Sequence, residues 1–291
     1  MFRYVLLVSI IIVSFPLYAA TWHITYPKAE FEGDKRADYP RDLLELALSK
    51  TNVRYVITPS EGYLRQSKAI RKLKENIEIN VVWSMTDRQR EAEMTPIRVP
   101  IAKGLIGWRM LVTPKNSAFY RQEITNFVDL LSFIPVQGID WPDTKVLQAS
   151  GFNVATSQDM LEGYELVKRN EVDFFPRSVI EVLQELAAEQ QGSGLAFKPK
   201  LVIRYPSAMY FFVNKRNKTL AKVIETGLNR AIDDGSFDEL FLKYHGEMIK
   251  HFDLEQARVF QIENPLLPFQ TPIFDERLWY DPVSNTLDTL K

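Results

Sequence analysis

Between residues 22 and 83 three short β-prone runs alternate with two amphipathic stretches, and this order restricts the fold more than any other feature of the chain. The runs are 22–26 (WHITY), 53–57 and 79–83. Asp38-Tyr39-Pro40 offers an N-cap with a proline in the first turn, and Leu43, Leu44, Ala47 and Leu48 supply one apolar helical face. Residues 63–76 read as a second helix, with Ile70, Leu73 and Ile77 on one side. Strand–helix–strand–helix–strand needs right-handed crossovers, which give a largely parallel sheet and an α/β fold.

The pattern then restarts. Residues 105–113 (LIGWRMLVT) form a long strand-like run that Pro114-Lys115-Asn116-Ser117 ends. After it, helices near 125–131, 142–150, 157–169 and 178–189 alternate with strands near 134–137, 153–155 and 172–175. Residues 190–194 read as a surface loop, 201–204 and 210–213 as strands, and 218–233 and 237–244 as helices. From Gly246 onward the chain is punctuated by Asn264-Pro265, Leu267-Pro268 and Thr271-Pro272, with Trp279-Tyr280 as apolar anchors. That composition predicts an extended tail, with disorder as the alternative for 284–291.

Composition excludes several functions. Residues 1–20 carry one charge, Arg3, then an apolar core broken at Pro16 and a small-residue end, Ala19-Ala20. This is the layout of a secretory signal peptide cut after Ala19 or Ala20; an uncleaved anchor is the alternative, and the core is short for a membrane span. With no cysteine, neither a disulfide nor a lipidated N-terminal cysteine can form. A periplasmic location follows as the expectation. Hydrophobic residues at 46% can fill a core, and a net charge of −1 gives no basic surface for nucleic acid. Three scattered histidines without cysteine argue against a metal site, and no cofactor is expected.

The stretch 81–100 stands out chemically. An apolar strand ends in Ser84-Met85-Thr86, and Arg88, Arg90 and Arg98 follow. Hydroxyls and cations at a strand end suit the rim of an open α/β sheet, where small ligands bind. Two further pieces stand in a familiar order: a strand leading into Gln137-Gly138 before a helix, and a helix ending in Asp234-Gly235-Ser236-Phe237 before another. With Ser84-Met85-Thr86 and Arg90-Glu91 they resemble periplasmic solute-binding proteins of the polar amino-acid type, bacterial extracellular family 3, over residues 22–246. The tail has no counterpart in the typical member.

The resemblance implies a type 2 periplasmic binding fold, α/β and bilobed. Lobe 1 would hold 22–113 and 205–291, with the tail 246–291 packed on it, and lobe 2 would hold 114–204. Crossing strands 105–113 and 210–213 would form the hinge. A solute touching both lobes would favour the closed state.

Carried over residue by residue, Arg90 corresponds to the arginine that grips a ligand carboxylate, with Arg88 as rival and surface charge as the plain alternative. Ser84 and Thr86 correspond to nearby donors, or simply cap the strand end. Arg98 is expected to pair with Glu91 or Glu93. Gly138, Asp140 and Trp141 form the lobe 2 turn; Asp140 is expected to cap the helix starting at Pro142 or otherwise to meet an ammonium group of the solute, and Trp141 either walls the cleft or packs beneath it. Arg177 stands near the place of the family's ammonium-holding aspartate. Facing the cleft, it would imply a solute anionic at both ends; otherwise it pairs with an acid such as Glu181. Tyr26, Trp83 and Tyr210 could stack on a solute or belong to the core.

The leading function is non-catalytic binding of a small polar or anionic solute by a monomer, for an inner-membrane permease or a sensor. An acid–base enzyme on the same scaffold and a degenerate interaction module are the alternatives.

Overall fold

The computed structural model describes residues 21–29, 31–188, 194–252 and 254–283. The leader at 1–20, the loop at 190–193 and the last residues, 284–291, lie outside the described residues.

The first half follows the alternation: β1 (Thr21–Lys28), α1 (Asp38–Ser49), β2 (Arg54–Tyr63), α2 (Gln66–Glu75), β3 (Val81–Met85), α3 (Arg88–Glu93) and β4 (Thr95–Ile97). β1 and β2 pair in parallel. Asn80 ties the start of β3 to β1, because its N–H donates to the Thr25 carbonyl and its side chain accepts from the Thr25 N–H, at 2.9 and 2.8 Å. α1 buries Leu43, Leu44, Ala47 and Leu48, the face expected from their spacing.

A second group follows: β5 (Trp108–Pro114), α4 (Ala118–Arg121), α5 (Phe127–Leu131), β6 (Val136–Gly138), α6 (Pro142–Ala149), β7 (Ala155–Ser157), α7 (Met160–Lys168), β8 (Phe175–Ser178), α8 (Val182–Ala188) and β9 (Leu195–Arg204). The chain returns with β10 (Met209–Val213), α9 (Lys218–Asp233), α10 (Ser236–His251) and β11 (Arg258–Gln261). β10 lies between β3 and β4, antiparallel to both. A separate sheet has the order β11-β9-β5-β8, and β6–β7 joins it through a bridge from Pro135 to Phe174.

This pairing corrects the expected hinge. Neither β5 nor β10 divides its length between the sheets: β5 pairs only in the second and β10 only in the first. The chain crosses at residues 98–107 and 205–208, which are mostly irregular. A strand satisfies its backbone groups in one ladder, so the change of sheet falls where no ladder claims them. The crossings touch each other, since the Tyr205 N–H donates to the Gly107 carbonyl at 3.1 Å. A Cβ on Gly107 would lie 2.0 Å from the Tyr205 oxygen.

The tail also departs from expectation. It does not stay on the first lobe: β11 adds a parallel strand to β9 of the second sheet. The chain then runs back to bury Leu278 and Tyr280 in a core shared with Phe241 of α10. Free edge groups on β9 and a short β-prone run, Arg258–Gln261, suffice to explain the added strand.

Candidate functional site at the cleft between the sheets

Arg90 is positioned by its own helix. Asp87 caps α3 by accepting from the Arg90 N–H at 2.7 Å. The guanidinium is then drawn inward until only 8% of the residue is exposed. Nη1 donates to Ser84 Oγ and to the Met85 carbonyl; Nη2 donates to Gln66 Oε1 at 3.0 Å and to the Asp140 carbonyl at 3.1 Å. Burial pulls its pKa below the usual guanidinium value, against the opposing charges of Asp87, Asp143 and Asp140. Both terminal nitrogens are thus engaged by the protein itself, and one acceptor comes from the opposite lobe.

The neighbouring hydroxyls are similarly occupied. Ser84 is fully buried against Arg90. Thr86 donates from its backbone to Ala208 and from its hydroxyl to Glu91, at 2.8 and 2.9 Å. Glu91 in turn accepts from Arg98 at 2.5 Å, the structural pairing expected for that arginine.

At the lobe 2 turn, Trp141 occupies the N-cap position of α6, with Pro142 next. The expected capping role of Asp140 is therefore corrected. Asp140 lies one residue too early, its side chain is exposed, and its carbonyl is the part that acts, as acceptor for Arg90. Trp141 folds onto Gly138, where a Cβ would meet the indole at 2.5 Å. Its ring stacks on Phe175 at 6.1 Å and lies under the Arg177 guanidinium at 4.9 Å.

Arg177 is 3% exposed and is held by acids. It binds Glu185 through two nitrogens, at 2.8 and 2.5 Å, and reaches Glu181 at 3.4 Å. Tyr164 donates to the same Glu185 at 2.7 Å. Burial alone would raise the Glu185 pKa, but the Arg177 charge and hydrogen bonds outweigh it and lower it. Glu181 differs: burial keeps its pKa raised despite Arg177. The expected second free cation is thus neutralised, which removes the ground for a solute anionic at both ends. A partner pair eight residues apart, Arg177 and Glu185, was missed because α8 carries the acid back over β8.

Tyr210 is also corrected. It is wholly buried, beside Phe212 and in a cluster with Leu64 and Leu73. Successive strand residues point to opposite faces, so Met209 is the β10 residue at the cleft. Along β3 the same alternation sends Trp83 and Met85 to the cleft and Ser84 away from it. Trp83 is half-buried, 5.8 Å from Tyr26.

Two of the cavities at the cleft adjoin each other around Arg36, Gln66, Met209 and Glu181. The larger, about 160 Å³, is lined by Arg36, Gln66, Trp83, Met209, Glu181 and Gln184 among others. The smaller, about 80 Å³, lies beneath Met85, Arg109, Trp141, Asp143 and Arg177. Asp143, unpredicted from sequence, joins Arg109 and Tyr205 in a buried group on the floor of the smaller one. The larger one, with Leu64, Ile70, Trp83 and Met209 in its wall and a few polar groups, has the usual make-up of a small-molecule site, whereas charged side chains dominate the smaller.

No protein-family model and no curated protein sequence matches the chain. Solved structures do resemble it. A Salmonella typhimurium periplasmic binding protein of high arginine specificity is 16% identical over 78% of this chain and 99% of its own, with a TM-score of 0.56. The GluR0 ligand-binding core from Nostoc punctiforme, in complex with L-glutamate, is 14% identical over 77% and 98%, at 0.55. A periplasmic His/Glu/Gln/Arg/opine family-binding protein from Silicibacter pomeroyi, in complex with lysine, is 12% identical over 78% and 97%, at 0.58. These likenesses show the fold, the bilobed α/β fold of periplasmic binding proteins.

Proposed function

We infer that the chain is a non-catalytic binding protein that holds, between its lobes, a small polar solute bearing an ammonium group. Glu181 carries this reading. Its carboxylate borders both cavities and has a single long contact to Arg177, while Glu185 takes the close two-pronged one. A cation docking there would relieve a carboxylate whose pKa is raised by burial. Trp83 and Met209 would cover the apolar part of the solute. Of the solved neighbours, one has high arginine specificity and two are complexes with L-glutamate and with lysine, amino acids that all carry an ammonium group. Glu181 has basic neighbours, Arg177, Arg109 and Arg36, so it lacks the isolation of a general acid in an apolar pocket. Capture for a permease or a sensor suits a protein of this fold.

A thermal-shift screen of amino acids, amines and dicarboxylates tests the reading. Amino acids or amines should raise the melting temperature, and Glu181→Gln should remove the rise. Stabilisation by dicarboxylates alone would refute it. One observation favours a second reading, an interaction module without a solute: the terminal nitrogens of Arg90 are already matched within the protein. A screen in which nothing binds would favour that reading.

A further inference from the structure

Residues 262–283 make contact with both crossings and with both sheets. The Ile262 N–H donates to the Arg204 carbonyl at 2.9 Å, extending the β11–β9 pairing to the edge of the second crossing. Asn264 then donates from Nδ2 to the Pro206 carbonyl, inside that crossing, at 2.8 Å. At the first crossing, Lys103 sends its ammonium group to the Arg277 carbonyl at 2.5 Å and to Asp238 of α10 at 2.7 Å. The Lys103 carbonyl accepts from the Tyr280 N–H at 2.9 Å. The Trp279 ring lies so close over Gly104 that a Cβ there would be 2.3 Å from it.

Parting of the lobes would have to be taken up at these crossings and at the tail that spans them. Domain opening is absorbed by φ/ψ changes at a few connecting positions. Lys103 and Gly104 sit at φ values of 44° and 79°, in the left-handed region. Each is held there by tail contacts on its carbonyl, its side chain or its missing Cβ. Between the two crossings the tail is not slack. Pro265, Pro268 and Pro272 restrict it, and Thr271 and Asp275 donate back to the Pro268 and Pro272 carbonyls at 3.0 and 3.3 Å. Trp279 Nε1 closes onto the Pro272 carbonyl at 2.8 Å. The solved neighbours span about 78% of this chain, so more than a fifth of it lies outside that likeness.

The geometry points to a built-in clamp: residues 262–283 hold both crossings and keep the lobes closed in the absence of solute. Release of the Asn264 and Trp279 contacts then gates opening. A clamp of this kind lowers the population of the open form and pre-organises the cleft, which slows solute exchange.

The test uses the ligand-free protein, so its outcome is independent of the solute reading. The chain has no cysteine, so spin labels at Ser67→Cys on α2 and Lys145→Cys on α6, both exposed, report the interlobe distance alone. The otherwise unaltered chain should give one narrow distribution. Asn264→Ala with Trp279→Ala should give a longer and broader one. Amide exchange at residues 103–107 and 205–208 should rise about tenfold or more, with α1 unchanged. Should the double variant fail to fold, Asn264→Ala and Trp279→Phe singly must each broaden the distribution. Unchanged distances in folded variants, or a broad distribution before any contact is removed, would overturn the clamp.

Discussion

The Arg90 guanidinium donates to the backbone carbonyl of Asp140 across the cleft, at 3.1 Å. The arginine that the resemblance assigns to a solute carboxylate therefore already bonds to the opposite lobe. Its second terminal nitrogen holds Ser84 and Met85 on its own lobe, so one side chain joins strand end, helix α3 and the lobe 2 turn. Solute binding at this point would have to exchange the Asp140 or Gln66 contact for a new one.

Arg90→Ala should therefore act on the ligand-free fold as well as on binding. It removes a donor from the buried Ser84 hydroxyl, the Met85 and Asp140 carbonyls and the Gln66 side chain at once, while Ser84 Oγ keeps its 3.3 Å bond to the Met85 carbonyl. A loss of about 2–4 kcal/mol in urea unfolding is expected, from the desolvation cost of unmatched buried groups. Stability equal to that of the parent chain would show that these contacts do not persist in solution.

Glu185 and Glu181 should respond differently to the same change. Glu185→Gln takes the charge from a pair that is 3% and 2% exposed in its side chains, leaving Arg177 buried and poorly compensated. The expected cost is about 3–5 kcal/mol. Glu181→Gln, with its single 3.4 Å contact, should cost much less. Denaturant midpoints of the two variants decide the matter, and equal losses would contradict the assignment.

His245 should make the fold sensitive to acid. Both ring nitrogens are buried without a hydrogen-bond partner among the described residues, beside Tyr39, Phe241 and Tyr244. Burial lowers its pKa to about 3. The unfolded chain thus binds a proton near pH 6.5 that the folded chain refuses, and stability falls as pH drops from about 6.5 toward 3. The slope approaches about 1.4 kcal/mol per pH unit for this group. In His245→Phe the fall in melting temperature between pH 7 and pH 5 should be smaller. Parallel pH profiles for the two proteins would count against the burial.

Gly227→Ala should loosen the first lobe. α9 lies against α1 so closely that the new methyl would sit 1.8 Å from the Ala47 oxygen, a backbone atom that cannot swing away. Overpacking of this sort costs about 1–3 kcal/mol or more. A circular-dichroism melt matching the parent would mean the helices stand further apart.

Much of the fold was readable along the chain because its signals are local. The spacing of Leu43, Leu44, Ala47 and Leu48 places α1, and the Asp234-Gly235-Ser236 turn separates α9 from α10. The pairing of Arg98 with Glu91 was also legible, being close in sequence. Boundaries that depend on neighbours were not. β2 runs on to Tyr63 because β1 pairs with it that far, and α2 starts correspondingly later than its pattern suggested.

The site shows the same division more sharply. Residue types marked 81–100 as a cationic strand end, and the family resemblance implied that it faces the turn at Gln137-Gly138 across a cleft. Which arginine is satisfied, and by what, is a matter of long-range placement. α8 brings Glu185 over Arg177, strand alternation turns Tyr210 inward and Met209 outward, and lobe closure sets the Asp140 carbonyl on Arg90. By itself the sequence determined the alternating α/β order, the proline-rich tail and the chemistry available at the rim, because these follow from periodicity and residue type. Only the tertiary structure decided which charges remain for a solute and that the tail joins both lobes, because burial, pairing and strand addition depend on groups far apart in the chain.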